Sequence, residues 1–126
     1  MSEGAALVRA VRAAVDDAET ELAAMPFLIR PMVKRGFASR TGKSYDQWRQ
    51  VLDRLAVAAT PVEAARAVPG IGEALASLAE NFRGAPERAR RGMGNDPVAI
   101  GRVEEKARVR TAAVEALRAW IADSAN

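Results

Sequence analysis

Apolar residues in this chain recur at alternating spacings of three and four, and this periodicity restricts the fold more than any other feature. One such stripe predicts a first helix from about Glu3 to Ala24. Its members are Val8, Val11, Val15, Ala18, Leu22 and Met25. No segment alternates apolar and polar residues with a period of two, so we predict no β-strand and expect an all-α protein.

Helix boundary signals define two helices after the first one. Pro31 suits the first turn of a second helix, and Gly42 suits the left-handed position just after its end. A third helix is predicted to begin after Ser44, because Ser44 and Gln47 have the spacing of a capping box.

A second group of signals lies on either side of Pro69. Thr60 and Glu63 predict the start of a fourth helix, which must end near Ala67 because a proline cannot continue it. A fifth helix is expected to begin near Gly72.

The C-terminal third contains one irregular segment and one long helix. Residues 84–95 mix glycine, proline and arginine, and we expect a loop or a single turn there. Asp96 and Pro97 then cap a final helix that runs to about Asp123. The 126 residues are therefore predicted to form one domain, a compact bundle of five or six helices with a long C-terminal helix.

The large apolar residues are expected to fill the core of this bundle. The segment between Pro26 and Pro31 forms an apolar elbow, which we expect to plug the core. We assign to the core Phe27, Leu28, Ile29, Met32, Val33, Phe37, Trp48 and Trp120. The stripes of the first and last helices also allow pairing with a second copy of the chain, so a homodimer through the terminal helices stays open.

Composition excludes several kinds of site. The chain has no cysteine and no histidine, which removes disulfides, thiolate nucleophiles and the commonest general base and metal ligand. We therefore expect a binding protein that is not an enzyme, with no catalytic residue, metal or cofactor. No leader and no apolar run of about 20 residues is apparent, so we expect a cytoplasmic protein without a membrane partner.

Positive charge is concentrated in two segments, although the net charge is only +3. Residues 30–54 contain seven basic residues against two acidic ones, and residues 83–95 contain four against one. Arginine predominates among the basic residues, and its planar group suits the recognition of phosphate.

Residues 60–84 resemble the helix-hairpin-helix motif of DNA repair and competence proteins and of family-X DNA polymerases. Gly70 and Gly72 match the two glycines of the motif, Ile71 matches the apolar residue between them, and Ala76 and Leu78 match the core side of its second helix. The resemblance implies that a phosphate approaches the glycines and the free amides at the start of that helix. Members that bind DNA usually place a basic residue just after the second glycine, whereas this chain has Glu73 there.

The basic segment after the motif supplies the charge that Glu73 does not. We expect largely sequence-independent binding of nucleic acid, DNA rather than RNA, through the two glycines and the arginines that follow. The expected binding residues are Gly70, Ile71, Gly72, Arg83, Arg88, Arg90 and Arg91. The alternative is an interaction or assembly module, or a small-ligand-binding subunit, in which the hairpin is structural and the basic second and third helices dock an acidic protein.

A second resemblance covers residues 18–42. Its pattern is Glu21-Leu22, two variable residues, Met25, Pro26-Phe27, two apolar residues and Arg30. This pattern resembles the small helical C-terminal domain of light-independent protochlorophyllide reductase subunits. The resemblance implies shared helical architecture and no activity, since the iron–sulfur ligands of that reductase are cysteines.

Overall fold

The computed structural model describes residues 2–94 and 96–123, and in them it confirms the predicted all-α bundle with a long C-terminal helix. A short 3-10 turn, Glu21–Ala24, follows the first helix. The α-helices are α1 (Glu3–Thr20), α2 (Arg30–Thr41), α3 (Tyr45–Ala56), α4 (Pro61–Ala67), α5 (Ile71–Arg83), α6 (Ala85–Met93) and α7 (Pro97–Ala122).

The predicted caps begin the helices where the sequence places them. At the start of α3 the Ser44 hydroxyl accepts a hydrogen bond from the Gln47 amide at 3.1 Å, and the Gln47 side chain accepts one from the Ser44 amide at 2.8 Å. Thr60 accepts from the Glu63 amide at 3.2 Å and so caps α4. These bonds satisfy backbone donors that the helix itself leaves without a partner.

The longest helix, α7, organises the packing of the bundle. It contacts α1, α4, α5 and α6. The start of α5 lies near residues 118–122 of α7, and Arg83 at the end of α5 reaches Glu115. Arg90 of α6 lies beside Glu104, nearer the N-terminus of α7. Thus α5 and α6 run one after the other along α7 in the opposite direction.

Among the described residues, one apolar core joins six of the α-helices, all except α6, and the 3-10 turn. Trp48, Leu52 and Leu55 of α3 are almost fully buried, as are Leu75 and Leu78 of α5. The remaining large contributors are Val8, Val11 and Val15 from α1, Leu22 from the 3-10 turn, Phe37 from α2, and Val114, Leu117 and Ile121 from α7. The buried stripe of α1 therefore faces α3 and α7, as its spacing predicts.

The prediction of a loop over residues 84–95 was wrong for most of that segment, because residues 85–93 form α6. Pro86 lies in the first turn of this helix, where its missing amide donor carries no cost. Gly84 takes right-handed helical angles and accepts a hydrogen bond from the Arg88 amide at 3.2 Å. Asn95 lies outside the described residues.

The prediction that the apolar elbow plugs the core was also wrong. Phe27 is 70% exposed, Leu28 78% and Met32 61%, and Ile29 is exposed as well. The elbow closes on itself instead, since Arg30 Nε and Nη2 donate to the carbonyls of Met25 and Ala23 at 3.0 Å each. Only Val33 and Phe37 of the predicted set turn α2 toward the core.

No helix within the described residues combines the length and the apolar character that a bilayer crossing requires.

Candidate nucleic-acid interface

The hairpin between α4 and α5 is a tight turn that depends on one glycine. Val68 leaves the helical conformation with φ of −133°, and Gly70 then takes a left-handed φ of +78°. Ile71 begins α5 with its side chain buried, and its amide donates to the Val68 carbonyl at 3.2 Å. A side chain at position 70 would be strained, so glycine there is required by the turn itself.

The surface beside this turn is an open groove between the start of α5 and the end of α7. A Cβ added at Gly72 would meet no atom within 4 Å, so the backbone there is open to approach. Glu73 and Glu115 line the groove together with Arg118. Arg118 lies 3.6 Å from Glu115, so its charge is already balanced. The groove therefore carries an acidic excess, which disfavours a phosphate at the two glycines.

Arg83 lies at the opposite end of α5 from the hairpin glycines. The helix rise of 1.5 Å per residue separates Gly72 from Arg83 by about 16 Å. Arg83 also pairs with Glu80 and, at 3.2 Å, with Glu115. The predicted binding residues thus lie in two separate places. Residues 70–72 form the hairpin, and the four arginines lie at and beyond the other end of α5.

The three predicted arginines on α6 have different surroundings. Arg90 lies 3.6 Å from Glu87 and 3.8 Å from Glu104. Arg88 is half-buried and donates through Nη2 to the main-chain carbonyl of Asn81 at 2.6 Å. Arg91 is exposed and, among the described residues, has no carboxylate within ion-pair distance. Two of the three are therefore available to an anion.

A further arginine, Arg40 at the end of α2, joins this group. Its Nε donates to the side-chain oxygen of Asn81 at 2.7 Å, so Asn81 holds Arg40 and Arg88 at once. Asn81 is only 5% exposed, which makes it a fixed anchor. We call Arg40, Arg88 and Arg91 the arginine cluster.

The arginine cluster places positive charges close together without compensation. Burial, and then the charges of Arg40 and Arg91, hold the pKa of Arg88 below its usual value. Arginine remains charged throughout the physiological range all the same. Within the described part of the chain no carboxylate forms an ion pair with any of the three. An anion bound there would relieve their mutual repulsion.

Sequence reasoning missed Arg40 as a member of the site. Arg40 and Asn81 are 41 positions apart, and only the packing of α2 against α5 brings them into contact. No spacing rule within one helix carries this information. The unbalanced charge of residues 30–54 was the one signal that pointed to α2.

The aromatic residues near α2 belong to the core. Trp48 is fully buried, and its indole nitrogen donates to the Thr41 hydroxyl at 3.0 Å. Tyr45 stacks on Phe37 with 4.0 Å between the ring centroids. Trp120 is half-buried against Gly4. None of these rings is free to stack on a base.

Acidic side chains do not converge into a metal site in the described residues. No group of three or more aspartates and glutamates lies close enough there to hold an ion. Most of them are paired with arginines instead, as where Arg49 binds Asp16 at 2.8 Å, Asp46 at 2.7 Å and also Glu19.

Comparison with known proteins adds no relative: no protein-family model matches the chain, and neither curated proteins nor solved structures gave a match.

Proposed function

We propose that this protein binds nucleic acid without catalysis and largely without regard to sequence, and that the arginine cluster makes the main phosphate contact. The observation that carries the proposal is that Arg40 and Arg88 both donate to buried Asn81, with Arg91 three residues after Arg88 on α6, and that none of the three has a carboxylate partner among the described residues. Arg40 and Arg88 each use one donor on Asn81 and keep others for a phosphate. Phosphates are the same at every base, so such contacts carry no sequence information.

The hairpin turn has a supporting role in this proposal. Glu73, which has no ion pair among the described residues, makes the groove beside Gly70 and Gly72 unfavourable for a phosphate. Buried Ile71 anchors α5 in the core, and α5 in turn presents Asn81 to the arginines. The hairpin therefore acts mainly as a scaffold, and any contact through its amides is secondary.

The test is fluorescence anisotropy of labelled duplex DNA, single-stranded DNA and RNA over a salt series. The variant Arg40→Glu/Arg91→Glu removes two cluster charges. The matched control is Arg9→Glu/Arg66→Glu, which makes the same change of charge at two exposed arginines that have no ion pair in the described residues. We expect the cluster variant to bind more weakly than the parent protein and its control, with a shallower salt dependence by about one counterion per lost phosphate contact.

An equal loss of affinity in the cluster variant and its control would contradict the proposal, because it would show that nucleic acid is attracted only by the net charge of the protein. Absence of binding at low salt would contradict it outright. Circular dichroism of both variants shows whether the helical bundle is intact.

An acidic protein partner is the second candidate, and the exposed surface of α2 favours it. This helix carries Arg30, Lys34, Arg35 and Arg40 and no acidic residue. Exposed Leu28 and Met32 lie at its N-terminal end. Apolar side chains beside uncompensated positive charge suit a partner surface that is apolar and acidic. A protein partner that competes with nucleic acid for Arg40 and Arg91 would support this alternative.

A further inference from the structure

Four large apolar side chains project into solvent where the chain enters α2. We call Phe27, Leu28, Ile29 and Met32 the apolar tip; Phe27 is 70% exposed. The two hydrogen bonds of Arg30 to carbonyls of residues 23 and 25 hold this segment in place. The Ile29 amide also donates to the Pro26 carbonyl at 3.1 Å. Hydrogen bonds within the protein therefore fix the backbone that carries the apolar tip.

Met32 of the apolar tip and Arg40 of the arginine cluster lie on one side of α2. Met32, Gly36 and Arg40 follow one another at a spacing of four, which aligns them along one side of the helix. A Cβ at Gly36 would lie 2.9 Å from Arg40 Nη1, so the guanidinium extends back across Gly36 toward Met32. This side of α2, from Met32 to Arg40, is about 12 Å long.

Phe27 differs from every other aromatic residue of the chain. It is the one exposed ring, since Phe37, Tyr45, Trp48 and Phe82 are buried and Trp120 is half-buried. An exposed ring near a cationic surface is the arrangement with which proteins bind unpaired bases: the ring stacks on the base and the cations hold the backbone. A duplex hides the faces of its bases within its own stack, so it offers nothing to such a ring.

We infer that the surface from Phe27 to Arg40 binds single-stranded nucleic acid, with a base stacked on Phe27 and more distant phosphates of the same strand on the arginine cluster. This inference rests on the proposed function and narrows its substrate to an unpaired strand. The uncompensated charge of α2 complements the phosphates, and the apolar tip complements the faces of the bases.

The test compares a labelled oligothymidylate with a duplex of the same length, by anisotropy at one salt concentration. Phe27→Leu keeps an apolar side chain and removes the ring, whereas Phe27→Trp keeps a ring. Leu28→Ala is the matched control, because it removes apolar surface from the same tip. We expect Phe27→Leu to weaken binding of the oligothymidylate by roughly 5- to 100-fold and to leave duplex binding unchanged. Phe27→Trp and Leu28→Ala should keep affinity near that of the parent protein.

Two results would overturn the inference and spare the proposed function, provided that Arg40→Glu/Arg91→Glu still weakens binding. One is no effect of Phe27→Leu on the affinity for the oligothymidylate, and the other is an equal loss of affinity for the duplex. A loss with Leu28→Ala as large as that with Phe27→Leu would also overturn it, since general apolar contact would then replace stacking. Failure of the parent protein to bind either probe would overturn both.

Discussion

Gly4 of α1 lies directly against the ring of Trp120 in α7. A Cβ built on Gly4 would lie 2.5 Å from Cη2 of the Trp120 ring and 2.8 Å from Cζ2. We expect Gly4→Ala to lower the free energy of unfolding by about 1–3 kcal/mol, because the ring must leave its place against α1. Urea unfolding, followed by circular dichroism, measures this difference.

Gly101 provides the control for that substitution. It is exposed within α7, and a Cβ there would meet no atom within 4 Å. Gly101→Ala should stabilise the protein by about 0.5–1 kcal/mol, since alanine loses less backbone freedom in a helix. A Gly4→Ala protein as stable as the Gly101→Ala protein would show that the ring moves without cost.

At the scale of residues, the sequence predicts which side chains of a regular helix are buried better than it predicts which side chains form hydrogen bonds with one another. Trp48 was expected in the core and is fully buried, because it belongs to a regular stripe on α3. Phe27 was expected there too, but it precedes α2 in a turn where no periodicity applies. The role of Asn81 as an anchor for Arg40 was not predictable, since it depends on how two helices pack.

At the scale of elements, the sequence predicts where capped helices begin, but its glycines and prolines gave a wrong prediction for α6. Ser44 with Gln47, and Thr60 with Glu63, satisfy local backbone donors, so neighbouring residues suffice to predict them. Helix α6 is not predicted by the sequence, because glycine and proline are typical of interruptions between helices. Its support comes from outside the segment, through contacts with the first half of α7.

The 3-10 turn after α1 is tied to α7 by a single carboxylate. Glu21 binds Lys106 Nζ at 2.9 Å and Arg110 Nη1 at 2.8 Å. Burial alone would raise the pKa of Glu21, but the hydrogen bonds from Arg110 and Lys106 outweigh it and leave this pKa below its usual value. The ionised carboxylate therefore stabilises the folded state at neutral pH.

This pairing predicts a pH dependence with a definite sign. A carboxyl group with a lowered pKa in the folded protein contributes its stability above the unfolded value of about 4.3, and loses it as the pH falls through the folded value. We expect Glu21→Gln to be less stable than the parent protein near neutrality, and the difference to shrink as the pH falls from the unfolded value of about 4.3 through the lower folded value. Urea unfolding over a pH series measures it, with Asp17→Asn as a control for loss of one exposed carboxylate. A difference that stays constant with pH would refute the assignment.

At the scale of the whole molecule, stability is distributed unevenly. The main core draws on α1, α3, α5 and α7, whereas no described side chain of α6 is fully buried. Ile100 and Ala107 of α7 are buried outside that core, in the half of α7 that α6 contacts. We therefore expect the amides of α6 to exchange with solvent deuterium through local opening, well before those around Leu75 and Leu78. Equal protection of α5 and α6 would contradict this expectation.

That uneven stability bears on the arginine cluster. Arg88 and Arg91 lie on α6, and Arg40 lies on α2, so the cluster is complete only while α6 is docked. A bound phosphate should slow exchange in α6, because it bridges the less stable helix to the core.

The position of α7 in the chain also determines when the protein can fold during its synthesis. Helix α7 supplies Val114, Leu117 and Ile121 to the core and covers apolar faces of both α1 and α5. The ribosome makes it after all the helices that it joins, so those faces stay open to water until α7 leaves the exit tunnel. Until then the nascent chain offers a natural substrate to chaperones that hold apolar segments.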